Sequence, residues 1–202
     1  MSLKIENTHV DNVARAVYAM RNAKNSWDRS DSPSTYGNIL GANDLHLAQT
    51  LANAGADHGK FLRMIDVTCD ITAPAFWIAE HDTYKVATVR SSCSFMHKGA
   101  SKPFELDDFI IESDEEKAVL LQLIEVLNGW RDKYIETNDF QYFRMIRGML
   151  PHGYKIHYTW HTNYAVLRNI YHARKDHRLS EWHEFCAWIE TLPYARELIL
   201  GE

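Results

Sequence analysis

Cysteine is scarce in this 202-residue chain: Cys69, Cys93 and Cys186 are odd in number and far apart. That excludes a disulfide framework and a C-x-x-C metal site, and it predicts a reducing, cytoplasmic setting. No apolar run approaches the ~20 residues of a membrane span, and the N-terminus lacks a signal-peptide pattern. No internal repeat, low-complexity tract, G-x-S-x-G, G-x-G-x-x-G or phosphate-loop motif occurs. Positive charge is also short, with 22 Lys and Arg against 27 Asp and Glu. A net charge of −5 gives no reason to expect nucleic acid as a partner.

What is present is ordinary globular composition, 46% apolar and 24% charged. The length predicts one domain spanning 1–202, large enough to bury roughly 70% of its unfolded surface. The charge is unevenly laid out. Residues 103–117 hold Glu105, Asp107, Asp108, Glu112, Asp114, Glu115 and Glu116. Residues 141–180 hold Arg144, Arg147, Lys155, Arg168, Arg174, Lys175 and Arg178 against Asp176 alone. A basic stretch in an acidic protein suits a small anionic ligand better than a polyanion, but charge alone favours the plainer reading, in which the two segments neutralise each other across the fold or an oligomer interface.

Two periodicities organise the chain. Ile65, Val67, Cys69, Ile71 and Ala73 alternate with polar neighbours, which predicts a half-buried strand ended by Pro74. Tyr154, Ile156, Tyr158 and Trp160 alternate with Lys155, His157, Thr159 and His161, which predicts another. Helical spacing predicts a helix at Val13–Met20 capped by Asp11, and a second from Asn43 or Asp44 to Gly55. It also predicts a short helix over 74–83, the strongest one over 114–136, and others near 139–148, 162–175 and from Ser180 onward. Residues 24–42 and 84–102 read as loops, the latter with room for a short strand. Strands mixed irregularly with long helices predict an α+β fold, with a mixed, mainly antiparallel sheet flanked by long helices.

Chemistry-bearing residues are few. His157 and His161 would share a metal on a helix, but a strand separates them by roughly 13 Å. Cys93 has His81 and His97 nearby in sequence, a set from which a nucleophilic pair can be built, while a lone cysteine is more often a small core residue. Asn163, Leu167, Ile170 and Arg174 share one helix face that is polar at both ends. Either Asn163 caps the helix and Arg174 serves its negative end, or both ends touch a bound anion or planar ring.

Taken together, these segments resemble the flavin-dependent thymidylate synthases from Val13 to about Ile189. Val13-Ala14-Arg15-Ala16-Val17-Tyr18 is similar to the family's A-A-R-x-S-Y. Ala73-Pro74-Ala75-Phe76 matches its strand-to-helix junction, and Arg147-Gly148-Met149-Leu150-Pro151 its A-R-x-x-L-P. Tyr158-Thr159-Trp160-His161-Thr162-Asn163 resembles its aromatic strand, and Leu167, Asn169, Arg174 and Glu181–Phe185 follow its late helices. The family motif R-H-R-x-x-S-x-N-E-x-S-x-R-Y falls on Thr83–Met96, where only Lys85, Ala87 and Thr88 match softly. The first Arg, the His, the Asn-Glu pair and the last Arg-Tyr are absent.

The resemblance implies a homotetramer whose sites combine residues of several subunits. It implies methylation of dUMP to dTMP, with methylenetetrahydrofolate as one-carbon donor and NADPH reducing FAD. Arg174 would polarise the pyrimidine, and Arg147, Ser91 and Ser92 would hold the nucleotide. Tyr84, Lys85, Thr88, Asn163 and Asn169 would contact the flavin, Tyr84 stacking in place of the family's His. Neither nucleic acid nor a membrane is implied as a partner. The degenerate loop motif leaves a second reading: a non-catalytic homologue that keeps the fold and binds a nucleotide or a protein.

Overall fold

Four strands, β1 (Lys4–Asp11), β2 (Asp66–Pro74), β3 (Val89–Ser92) and β4 (Lys155–Asn163), form an antiparallel sheet in the order β1-β2-β4-β3. The computed structural model describes residues 2–202, the side chain of His97 excepted. Both predicted alternations are present. Val67, Cys69, Ile71 and Ala73 of β2 are buried, as are Tyr158 and Trp160 of β4. Three cross-strand contacts set the register on the opposite face: Thr68 Oγ1 to His161 Nδ1 at 3.3 Å, Thr159 Oγ1 to Asp70 Oδ1 at 2.6 Å, and Thr72 Oγ1 to His157 Nδ1 at 3.0 Å. A slip of one residue would turn these polar groups into the core.

The helices are α1 (Val13–Met20), α2 (Ala42–Asn53), α3 (Ala75–His81), α4 (Phe95–Lys98), α5 (Asp114–Thr137), α6 (Phe140–Met149), α7 (Tyr164–Arg174) and α8 (Ser180–Glu190). A 3-10 segment at Gly59–Met64 and a π-helical segment at Arg196–Leu200 accompany them. No helix among the described residues is long and apolar enough to cross a membrane. Two expectations need correction. Asp11 does not cap α1: it ends β1, and the capping position is Asn12, whose left-handed backbone (φ 66) sends its amide to Asp66 at 2.9 Å. β1 itself is an additional strand, invisible to periodicity because only Val10 of its eight residues is buried.

The chain folds into two compact units. One comprises Thr72–Thr83 and Ser91–Tyr158 with the residues up to Lys4. Its core gathers Phe104, Phe109, Leu120, Ile124, Leu127 and Ile146, with Tyr154 and Trp130 packed against it. Pro74 ends β2 as predicted but caps α3 in an extended conformation rather than opening it as the first helical residue, and the first donors of that helix are met by carbonyls: Ala75 N–H by Tyr154 and Phe76 N–H by His152. The acidic segment is explained locally. Ser113 Oγ accepts from Glu116 N–H at 3.1 Å, the Glu116 carboxylate accepts from Glu112 N–H at 2.7 Å, and Asp114, Glu115 and Glu116 fill the positive first turn of α5. Ser113→Ala is expected to lower stability by about 1 kcal/mol, seen as a lower urea midpoint at unchanged slope.

The other unit comprises Ile5–Ile71, Tyr84–Arg90 and Thr159–Glu202. It buries α1, α2, α7 and α8 around Val13, Val17, Leu167, Ile170, Phe185 and Leu198. The long loop predicted at 24–42 is pinned by charge. Arg21 and Asp44 form a buried ion pair, Ser30 and Ser32 donate to the same carboxylate, and Asp31 accepts the N–H groups of Asn43 and Asp44 at the start of α2. Gly41 lies so close to Asp31 that a Cβ there would collide with it.

Candidate functional site

Helix α7 positions the site. Its spacing of Leu167 and Ile170 buries one stripe, and its start is capped by Asn163, whose Oδ1 accepts from Val166 N–H at 3.1 Å. The capping reading of Asn163 therefore holds, and its amide nitrogen is the group left to offer a ligand. Eleven residues of helix place the Asn163 and Arg174 ends roughly 16 Å apart.

Arg174, in the last turn, is engaged by side chains from outside its own helix. Its Nε donates to Tyr84 Oη at 2.8 Å. Its guanidinium carbon lies 4.7 Å from the Trp182 ring centroid and 5.5 Å from that of Tyr84. The two rings meet edge to face at 6.0 Å and 74°. His177 also packs on Trp182, with ring centroids 6.2 Å apart and its Nδ1 accepting from Leu179 N–H at 3.2 Å. Tyr84 and Arg174, both predicted site residues, are thus brought together across 90 residues of sequence.

A second feature of α7 lies about 140° around the helix from Arg174, at the position of Asn169. An open cavity of about 340 Å³ is lined there by Asn53, Gly59, Arg63, Arg168, Asn169 and His172, among others. That volume is within the range of small-molecule sites. Arg168 is committed to structure: it donates to the carbonyls of Leu198 and Ile199 and to Asn53 Oδ1. Its partial burial lowers its pKa from the usual arginine value. His172 Nε2 lies 3.2 Å from the Ile199 carbonyl. Asn169 and Arg63 are exposed to the cavity, one offering an amide edge and the other a cation.

The remaining predicted residues are spread out. Lys85 is exposed, and Thr88 turns its hydroxyl back onto the Tyr84 carbonyl at 3.0 Å, around Ala87 in a left-handed conformation (φ 59). Ser91 and Ser92 are exposed on β3. Arg147 is exposed at the end of α6, where its Nη1 meets Met96 Sδ at 3.1 Å. Arg147, Ser91 and Ser92 belong to the first unit, and Tyr84, Lys85, Thr88, Asn163, Asn169 and Arg174 to the second.

Cys93 is exposed rather than a core residue, while His81 is buried, stacked on Trp77 at 4.7 Å with Nδ1 at 3.3 Å from Tyr158 Oη. The side chain of His97 lies outside the described residues. His157 and His161 are on β4, as the alternation required. Sequence reasoning missed Trp182, Arg63 and His172. Trp182 lay within Glu181–Phe185, matched to the family's late helices only as a segment, and Arg63 offered only its basic character.

No protein-family model matches the sequence, and no curated protein matches it. Solved structures do. Thymidylate synthase X from Helicobacter pylori, crystallised with FAD and dUMP, superposes with a TM-score of 0.73 at 18% identity, over 98% of this chain and 97% of that one. A second crystal structure, of flavin-dependent thymidylate synthase ThyX from the same organism complexed with FAD and dUMP, gives 0.74 at 18% identity, over 97% of each chain. The UMP/dUMP methylase PolB from Streptomyces cacaoi, bound with 5-Br dUMP, gives 0.67 at 15% identity, over 98% of this chain and 95% of that one. The chain has the fold of the flavin-dependent thymidylate synthases.

Proposed function

We propose that this protein is a flavin-dependent thymidylate synthase or a diverged homologue of one. In that role it methylates dUMP to dTMP with methylenetetrahydrofolate and NADPH. The observation that carries the reading is α7 itself: one helix presents Asn169 to a cavity of about 340 Å³ and, on another side, an arginine held by two aromatic rings.

The cavity fits part of a flavin nucleotide. The Asn169 amide offers a donor and an acceptor side by side, as a pyrimidine-like ring edge requires, and Arg63 supplies a cation for a phosphate. Lys85 and the Asn163 amide nitrogen, which do not line the cavity, would contact the flavin outside it. Thr88 has spent its hydroxyl on the loop's own turn. A flavin held there would supply the hydride, drawn from NADPH, and no protein nucleophile would be required.

Arg174 takes the pyrimidine of dUMP by charge-assisted hydrogen bonds, and Arg147, with Ser91 and Ser92, takes its sugar and phosphate. In a homotetramer whose sites combine residues of several subunits, these groups need not come from one chain. The whole of 1–202 serves as one domain of this type, in the cytoplasm. The rewritten loop favours a second reading, a homologue that keeps nucleotide binding without turnover, because Lys in place of Arg loses the bidentate fork.

The visible spectrum decides between them. The purified protein, given FAD, is expected to retain the flavin through desalting and to oxidise NADPH faster when dUMP is present. Binding of dUMP without flavin retention or NADPH oxidation would replace the synthase by the non-catalytic homologue.

A further inference from the structure

We propose that Tyr84 and Trp182 are positioning residues for Arg174, forming a clamp that sets the plane of its guanidinium before a nucleotide arrives. The inference rests on the reading of Arg174 as the group that receives the pyrimidine of dUMP. Trp182 is fully buried in α8 and cannot swing, so the 4.7 Å approach of the guanidinium carbon to its ring fixes the height of the cation above a rigid surface. The Tyr84 hydroxyl, at 2.8 Å from Nε, then fixes its rotation within that surface. The edge-to-face packing of Tyr84 on Trp182 ties the two restraints together.

A guanidinium forms hydrogen bonds only in its own plane, so its orientation decides where a ring oxygen can be met. An unrestrained arginine would also lose its rotamer freedom on binding, and a clamped one has lost it already. His177, edge-on to Trp182 at 6.2 Å, adds a further ring contact to the platform. Neither Tyr84 nor Trp182 needs to touch the nucleotide for this role.

The test is calorimetric titration of dUMP into the full-length protein and its variants. Tyr84→Phe keeps the ring and removes the acceptor; it is expected to weaken dUMP binding about fivefold. Trp182→Leu removes the platform and is expected to weaken it about tenfold, whereas Trp182→Phe restores most of that loss. In an Arg174→Lys background, Tyr84→Phe is expected to have no further effect, since the bond it removes is already gone. The Arg174 Nε–H signal in nitrogen-15 spectra, assigned by its absence from Arg174→Lys, is expected to exchange slowly in the parent and fast in Tyr84→Phe.

If Trp182→Leu fails to fold, Tyr84→Phe and the Nε–H signal carry the test alone. Parent protein that binds dUMP with an affinity unchanged in Tyr84→Phe would overturn the clamp while leaving the synthase reading standing. Parent protein that binds no dUMP would overturn the synthase reading, and the positioning role with it.

Discussion

Arg174→Ala is expected to weaken dUMP binding about a hundredfold while leaving the protein folded. A charge-assisted hydrogen bond contributes roughly 1.5–3 kcal/mol, so removing one together with its charge changes affinity on the order of 10- to 150-fold. The structural cost is smaller. The truncation removes, among the contacts of a half-buried side chain, the hydrogen bond to Tyr84 and the stacking on Trp182, which contribute about 1–2 kcal/mol. Calorimetric titration reads the first effect and a thermal scan the second. An unchanged dUMP affinity with a lowered thermal midpoint would make Arg174 a helix-end charge and nothing more, the arrangement that a cation near a helix C-terminus adopts by default.

Helical spacing put Arg174 on one face with Asn163, Leu167 and Ile170 but left two readings of it open; only the family resemblance gave it a role. What surrounds it was not legible. Tyr84 stands 90 residues earlier in a loop with no period, and Trp182 faces it from the next helix. Contacts between elements of this kind leave no mark in local spacing, because spacing reports only the periodicity of one element. Asn163 shows the complementary case. Its two readings, cap or ligand contact, are indistinguishable in sequence, and the 3.1 Å bond to Val166 N–H assigns its oxygen to the cap.

The strands divide the same way. β2 and β4 were legible because each buries one face, so a two-residue period is written into their side chains. β1 was not, because it is an edge strand with one buried residue and a left-handed Asn7 (φ 51) that breaks its alternation. The misplaced cap at Asp11 follows from this: without β1, nothing in the sequence keeps Asp11 from starting α1. The basic stretch of 141–180 was legible as a stretch but not as a site. Arg168 within it ties the C-terminal segment to α7 through main-chain carbonyls, whereas Arg174 packs on aromatic rings.

The buried ion pair of Arg21 and Asp44 was wholly illegible, and it leads to the largest expected change in stability. Asp44→Ala is expected to cost about 3–5 kcal/mol, because it strands the Arg21 charge in the interior, where the arginine side chain is 5% exposed. For a chain of this size that corresponds to a drop in thermal midpoint of roughly 10 °C. Replacing both partners by apolar residues of similar volume is expected to cost much less, since the desolvation of both charges is then avoided. Acid should mimic the single variant. Burial pushes the Asp44 carboxyl up, but the hydrogen bonds from Ser30, Ser32 and Arg21, together with the Arg21 charge, outweigh it and hold Asp44 below its ordinary value of 3.8. A carboxyl held low in the folded state binds its proton more readily when unfolded. Its contribution is therefore complete above the ordinary value and is lost as the pH falls through the folded one. Thermal midpoints of the parent and of Asp44→Asn, followed from pH 7 to pH 3, are expected to converge below pH 4. Parallel curves over that range would show that Asp44 is not the group that acid titrates.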